Sequence, residues 1–265
     1  MKKNCFILFH LSTGDNFTMY ALIRHFQIMY ENIYIFCLYR NRYFVKQMYE
    51  KYNNINIFVI EDPGYNNCSI PDDIFNKYSK NIIDCDIIKS GCHNENWSNS
   101  NTFWRDFYIH AAVPYEIRYE YININRNYER EINLYNSLIK RYGEKYIFIF
   151  DHRNIKYTHC CLRKNIDLDV NYYDKIPIFH PNFNFYTTIN NNEFLNLWNE
   201  DLMSDNILDY GYIIENAEEI IINDSSFSCL CPYLNLSNIK IKIIYTNFNY
   251  IDYHNSFNDW KIINY

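Results

Sequence analysis

Glycine is scarce in this chain, with 5 in 265 residues. Loops that cradle nucleotide phosphates are usually glycine-rich. The first strand-to-helix turn here, Ser12-Thr13-Gly14-Asp15-Asn16, cannot be read as G-x-G-x-x-G, which weakens a nucleotide-dependent oxidoreductase. An excess of positive charge is missing too. Lysine and arginine number 25 against 31 acidic residues, a net charge of −6, so no nucleic-acid footprint is indicated. No apolar run reaches the roughly 18 residues of a membrane span. After Met1-Lys2-Lys3-Asn4 the apolar stretch lasts only from Cys5 to Phe9, too short for a secretory leader. Paired C-x-x-C spacing is absent as well. The 9 cysteines are odd in number, and neither His159-Cys160-Cys161 nor Cys229-x-Cys231 has the spacing of a zinc set. Free thiols, no metal, no cofactor and a cytoplasmic location are the expectation.

Aromatic and amide side chains are abundant. The chain has 28 Tyr, 19 Phe and 40 Asn, the residues that A+T-rich codons encode, and the enrichment reads as genome bias before any stacking purpose. The same bias scatters N-x-[ST] triplets such as Asn16-Phe17-Thr18, Asn96-Trp97-Ser98 and Asn223-Asp224-Ser225, which are poor signals of glycosylation. With 48% hydrophobic and 21% charged residues the chain folds, as one large domain or two compact ones.

Apolar runs alternate with helical patterns. Cys5 to Phe9 reads as a buried strand, and Met19, Leu22, Ile23, Phe26 and Tyr30 then mark one stripe of a helix. Ile33 to Cys37 is a second strand, Tyr43 to Tyr52 a second helix and Asn56 to Ile60 a third strand. This βαβαβ order implies right-handed crossovers and a parallel sheet. Asp86 to Lys89 is a further strand, and Asn101 to Ala112 a helix ending before Pro114. A helix from about Tyr128 to Lys140 runs into Arg141-Tyr142-Gly143, where a helix end and a domain break are expected. The second half repeats the logic. Strands are predicted at Tyr146 to Phe150, Ile176 to His180, Glu219 to Asn223 and Lys240 to Tyr245. Helices are predicted near Asn192 to Trp198, near Ile207 to Ala217 and from Ser225. The expected architecture is α/β, two Rossmann-like domains with parallel sheets, spanning 1–142 and 143–265, with a ligand between them at the carboxyl ends of the strands.

Two turns stand out: Ser12 to Asn16 followed by Leu22-Ile23-Arg24, and Asp224-Ser225-Ser226-Phe227 behind the run Glu215 to Asn223. Together they resemble the inverting glycosyltransferases of the GT-B fold. The nearest type is the heptosyltransferase group, and closer still are the small glycosyltransferase-like proteins of large DNA viruses and microbes. The likeness covers most of the chain in layout and is carried by these two motifs. It departs at Ser12, where the family has a glycine, at Cys229, where a histidine is common, and at Pro232 in the last helix. The resemblance implies a metal-independent, inverting transfer of sugar from a nucleotide-sugar donor to a glycan or other hydroxyl acceptor, with the first domain serving the acceptor and the second the donor.

Such a transfer needs a base for the acceptor proton and positive potential for the departing diphosphate. Asp15 is the candidate base, a role the resemblance implies; the alternative is that Asp15 or Asn16 caps the following helix. Ser225 and Ser226 at a helix start are candidates for phosphate, with Arg153 beyond the Tyr146 to Phe150 strand as a bidentate partner. Lys156, Arg163 and Lys164 share that region. Asp224 is either a cap or a contact to a donor hydroxyl. His152 and His180 each follow a strand, as donor-site imidazoles or as structural histidines. Asn16, Trp104, Tyr108 and Arg105 are candidates for the acceptor side, against core packing for the aromatics. The D-x-D triplets Asp84-Cys85-Asp86 and Asp167-Leu168-Asp169 raise a rival metal-dependent GT-A chemistry. A non-catalytic carbohydrate- or nucleotide-binding module, or a degenerate transferase, is the alternative from another class; the missing glycine and Pro232 favour it.

Overall fold

The computed structural model describes residues 2–61, 69–97, 103–151, 176–182, 200–246 and 257–264. The chain divides into two compact units, Met1–Asn125 and Arg126–Tyr265. Each is an α/β unit with its own parallel sheet.

In the first unit β1 (Lys2–Leu8), α1 (Thr13–Gln27), β2 (Tyr30–Leu38), α2 (Arg42–Tyr49) and β3 (Ile55–Ile60) form the βαβαβ series that the apolar runs predict. α3 (Asp72–Ser79) and β4 (Cys85–Lys89) follow, then α4 (Phe103–His110). The strand order is β3-β2-β1-β4, and every pair is parallel, with Ile7 level with Ile35 and Ile88. α1 is buried from Asp15 through Ile23 and again at Phe26. A helix apolar on more than one side needs more than one cover. It packs on β2, α4 and a 3-10 turn at Tyr115–Tyr119, where the Tyr108 hydroxyl donates to the Thr18 carbonyl at 2.9 Å. Tyr30, the last residue of the predicted stripe, lies beyond the helix end and opens β2.

The second unit begins with α5 (Tyr128–Tyr142), capped by the Asn127 side chain and closed by Gly143 at φ 81°, the left-handed end that its glycine predicts. β5 (Ile147–Phe150), β6 (Ile178–Phe179), α6 (Gly211–Glu215), β7 (Glu219–Asn223), α7 (Ser226–Leu230), β8 (Ile241–Thr246) and β9 (Lys261–Asn264) complete it. The order is β6-β5-β7-β8-β9, again all parallel. β7 is buried along its whole length, as a central parallel strand with an uninterrupted isoleucine run should be.

Differences from the sequence expectation have physical causes. The compact units part at Asn125, ahead of α5, because α5 packs on α6 and its neighbouring 3-10 turns, and Arg126 pairs with Glu131 and Glu215. The helix expected from Ile207 is a 3-10 turn, Ile207–Tyr210, started by the Asn206 side chain and passing into the short α6. Of the two effects expected of Pro232, shortening or kinking the last helix, the first is seen: α7 stops at Leu230 and Pro232 sits in the 3-10 turn Cys231–Tyr233 after it. β9 went unpredicted because its apolar content is only Ile262-Ile263. The helix near Asn192 to Trp198 lies outside the described residues. Among those described, no helix is long and apolar enough to cross a membrane.

Candidate functional site

A doubly wound sheet binds ligands outside the carboxyl ends of its strands, where the chain reverses its direction of progress across the sheet. In the first unit the chain moves out from β1 to β2 and β3 and returns on the other side as β4. The reversal point is therefore the pair β1 and β4. Its two turns are Phe9–Ser12 and Ser90–His93, and they meet through His10.

His10 Nε2 accepts the Cys92 backbone N–H at 2.7 Å. Nδ1 of the same ring stands 3.9 Å from Asp15 Oδ2. Trp97 and Phe107 meet the imidazole edge to face, with centroids at 4.7 and 5.1 Å. Gly91, at φ 60°, lies under the ring, and a Cβ there would come within 2.7 Å of His10 Cδ2 and 2.6 Å of the Phe107 ring. Gly91→Ala therefore has two costs, a left-handed backbone and an overlap with a buried ring. The expected loss is about 2 kcal/mol or more, read from the urea midpoint. An unchanged midpoint would show that the turn gives way freely.

Asp15 is the third residue of the first turn of α1. Ser12 is the N-cap: its hydroxyl donates to Asp15 Oδ2 at 2.6 Å and accepts the Asp15 N–H at 3.5 Å. The helix cap is thus Ser12, at the position where the resembling family has glycine. Asp15 is not the N-cap, and its carboxylate bonds the residue that is. Burial pushes its carboxyl above the ordinary carboxylate range, against the pull of His10 and Ser12. Burial likewise holds His10 below the usual imidazole value, with Asp15 opposing. Asn16 is 1% exposed and donates to the carbonyl of Ser12 at 2.7 Å and of Leu11 at 3.4 Å, so it holds the turn together. Asn41 braces the same turn from the next loop, accepting from the Thr13 hydroxyl and donating to the Leu11 carbonyl, each at 2.9 Å.

His93 closes the cluster, accepting the Ile70 N–H at 3.2 Å. Burial, then His10 and Lys89, push its pKa down to about 4, with Asp72 opposing. An unfolded histidine titrates at 6.5, so between pH 6.5 and 4 the unfolded chain binds the proton that the folded one refuses. This unit is accordingly expected to lose stability as pH falls through that window, by up to about 3 kcal/mol before solvent screening is allowed for. His93→Gln keeps an acceptor for Ile70 and should flatten the loss. Urea midpoints at pH 7.5 and 4.5 that shift equally in both proteins would contradict this.

In the second unit the chain steps from β5 to β6 and returns as β7, so the reversal lies between β5 and β7. Their ends carry Asp151 and the run Asn223-Asp224-Ser225-Ser226. Asp151, Asn223 and Asp224 are 1%, 0% and 2% exposed. Ser225 caps α7 in a reciprocal box with Ser228, accepting its N–H while the Ser225 N–H goes to the Ser228 hydroxyl at 3.1 Å. The cap role is therefore Ser225's and not Asp224's. His180 is fully buried, stacked on Phe150, and its Nε2 accepts the Asp151 N–H at 3.0 Å. It supports the β5 end from within the core.

Asp15 and Asn16 share one turn of the first unit, and Asp224, Ser225 and Ser226 share one turn of the second. Trp104 is 2% exposed in the first unit's core, the packing alternative for that aromatic; Arg105 stands over Tyr115 at 5.5 Å. Arg153 and His152, with Lys156, Arg163, Lys164 and the Asp167 triplet, lie outside the described residues. Asp84 and Asp86 sit at the amino end of β4, away from the binding edge, and Asp86 accepts from the Tyr30 hydroxyl at 2.6 Å. Among the described residues no group of three or more His, Cys, Asp or Glu is arranged to hold a metal. His10, His93 and Trp97 escaped sequence reasoning. A histidine directly after a strand was the available signal for His10. Comparison with family models, curated proteins and solved structures finds no match.

Proposed function

We propose that the protein transfers a sugar from a nucleotide-sugar donor to a hydroxyl acceptor, without a metal and with inversion. The first unit acts on the acceptor and the second on the donor, in the manner of the GT-B enzymes its two motifs resemble. One observation carries the reading: Asp15 is a buried carboxylate of raised basicity at the binding edge of a doubly wound sheet, and Ser12 relieves it of helix capping. A base of this kind removes the acceptor proton as its oxygen attacks the anomeric carbon. In the same reading Asp224, Ser225 and Ser226, with Arg153, hold the donor, and leaving-group charge is met by hydrogen-bond donors.

The second reading, a binding module without catalysis, rests on α7. That helix has only 5 residues, and its Ser225 N–H and Ser228 hydroxyl bond to each other instead of standing open to a phosphate. Titration calorimetry with a panel of UDP-, GDP-, ADP- and CMP-sugars, followed by product analysis with simple glycoside acceptors, separates the two. Binding with turnover supports transfer. Binding without turnover supports the module, and failure to bind any donor defeats the transferase reading.

A further inference from the structure

Neither nitrogen of His10 is free to take a proton from a substrate. Nε2 has its lone pair on the Cys92 N–H. The neutral ring must then carry its hydrogen on Nδ1, and Nδ1 is the nitrogen that stands 3.9 Å from Asp15 Oδ2. The Ser12 hydroxyl addresses the same oxygen at 2.6 Å. The Ser12 hydrogen bond and the electrostatic approach of the imidazole thus both fall on Oδ2, and among the described residues no hydrogen bond reaches Oδ1. The side chains of His10 and Asp15 keep 12% and 11% exposure, a narrow window through which a hydroxyl can arrive.

We propose that His10 is a positioning residue for Asp15: the Gly91–Cys92 turn locks the imidazole as its Nδ1–H tautomer, the Ser12 hydroxyl holds Oδ2 by a hydrogen bond, and the Nδ1–H, outside hydrogen-bond reach at 3.9 Å, turns its dipole to the same oxygen, so that Oδ1 receives the acceptor's proton. The inference rests on the reading of Asp15 as the base. In the step itself the acceptor O–H bond breaks and its proton passes to Oδ1. The oxygen's electron pair forms the new bond to the anomeric carbon, and the bond from that carbon to the phosphate oxygen breaks, its pair leaving with the nucleoside diphosphate. His10 gains and loses nothing. The charged and titratable groups around the pair are few. Asp15 faces His10 and Ser12; His10 is flanked on the β4 side by His93, which in turn feels Lys89 and Asp72. Trp97 and Phe107 close the remaining sides of the ring.

Two substitutions separate this role from a merely structural one, because glutamine and asparagine each reproduce one nitrogen of the ring. His10→Gln places an oxygen where Nε2 was, keeping the bond from Cys92 and deleting the donor at Nδ1. His10→Asn places an N–H near Nδ1 and deletes the acceptor for Cys92. The Asp15 carboxyl titration, followed by carbon-13 NMR without any substrate, should move upward in His10→Gln and return toward the native position in His10→Asn. With substrate, kcat/KM of His10→Gln should fall about threefold or more further at pH 6 than at pH 8. The opposite ranking, His10→Gln native-like and His10→Asn impaired, would make His10 a mere brace and overturn the proposal. Nitrogen-15 shifts of His10 in the unaltered protein give a check that needs no variant: a hydrogen on Nε2 at pH 8 would also overturn it. Since neither NMR measurement uses a donor sugar, absence of transferase activity would strike the proposed function while leaving these two results to decide the tautomer and its effect.

Discussion

Asp15→Asn is expected to abolish the proposed transfer, with kcat falling by about 10²- to 10⁴-fold, while the affinity for donor stays close to that of the native protein. The amide keeps the size of the carboxyl and can still meet the Ser12 hydroxyl, so the loss is one of proton acceptance and not of shape. A change confined to the chemical step should appear in kcat and kcat/KM alike, with calorimetric donor binding unaltered. The same substitution is expected to stabilise the first unit at neutral pH. Burial raises the Asp15 pKa above its ordinary 3.8. Between the two values the folded state holds a proton that the unfolded state has released, so stability falls as pH rises through that range and stays reduced above it. Asparagine carries no such charge. The variant should therefore melt later than the native protein at pH 7, and the gap should close as pH drops below the unfolded value. Retained activity would remove Asp15 from its role, and an earlier melt at pH 7 would contradict the burial account. A more stable, inactive variant is the signature of a group placed for chemistry at the expense of stability.

Arg126→Ala is expected to be the most damaging substitution in the second unit, at about 3–5 kcal/mol. The guanidinium is 4% exposed and forms forked hydrogen bonds to two carboxylates, Glu131 and Glu215. Glu131 also accepts the Tyr212 N–H at 2.9 Å, and Glu215 accepts the Asn235 N–H at 2.8 Å, so the charge group ties α5, α6 and the turn after α7 together. There is no slack around it. A Cβ on Gly211 would come within 2.7 Å of Arg126 Nη2 and 2.8 Å of Glu131 Oε2. Deleting the cation leaves two like charges beside each other, Glu131 fully buried and Glu215 partly so, and most of the cost comes from that uncompensated pair. Burial already pushes the Glu131 carboxyl up, and the arginine is what pulls it back. Without it the folded state takes up a proton more readily, so the deficit of the variant should shrink as pH falls. The triple change Arg126→Met, Glu131→Gln, Glu215→Gln should recover much of the loss at pH 7. Urea unfolding of the three proteins measures all of this. A single variant within about 1 kcal/mol of native would show that the network is solvated in solution.

The elements were legible along the chain because each is a local matter. A buried parallel strand needs an apolar run, as in Ile220-Ile221-Ile222, and a glycine after a helix marks its end, as Gly143 does. The two turns at the carboxyl ends of the strands were legible for the same reason, as a polar cluster between a strand and a helix. Capping was harder. Asp15, Asn16 and Asp224 are all good cap formers, and nothing local says that Ser12 and Ser225 hold those posts. Periodicity also misled where two elements adjoin: Tyr30 continues the stripe of α1 although it belongs to β2.

What the linear order could not contain is which distant residues meet. His10 finds Cys92 across 82 positions because β4 inserts beside β1 and not beside β3, a choice of strand order that no local pattern records. Arg126 finds Glu215 across 89 positions in the same way, and so belongs with the second unit ahead of any apparent break at Gly143. Two tryptophans show the difference most plainly. Trp104 vanishes into the core while Trp97 stands against the His10 ring, and only the packing of α4 and the β4 turn separates their fates. Backbone preferences and apolar periodicity act over a few residues and write the elements into the chain. Burial, basicity and the direction of each hydrogen bond depend on what the sheet brings alongside, and arise only when it assembles.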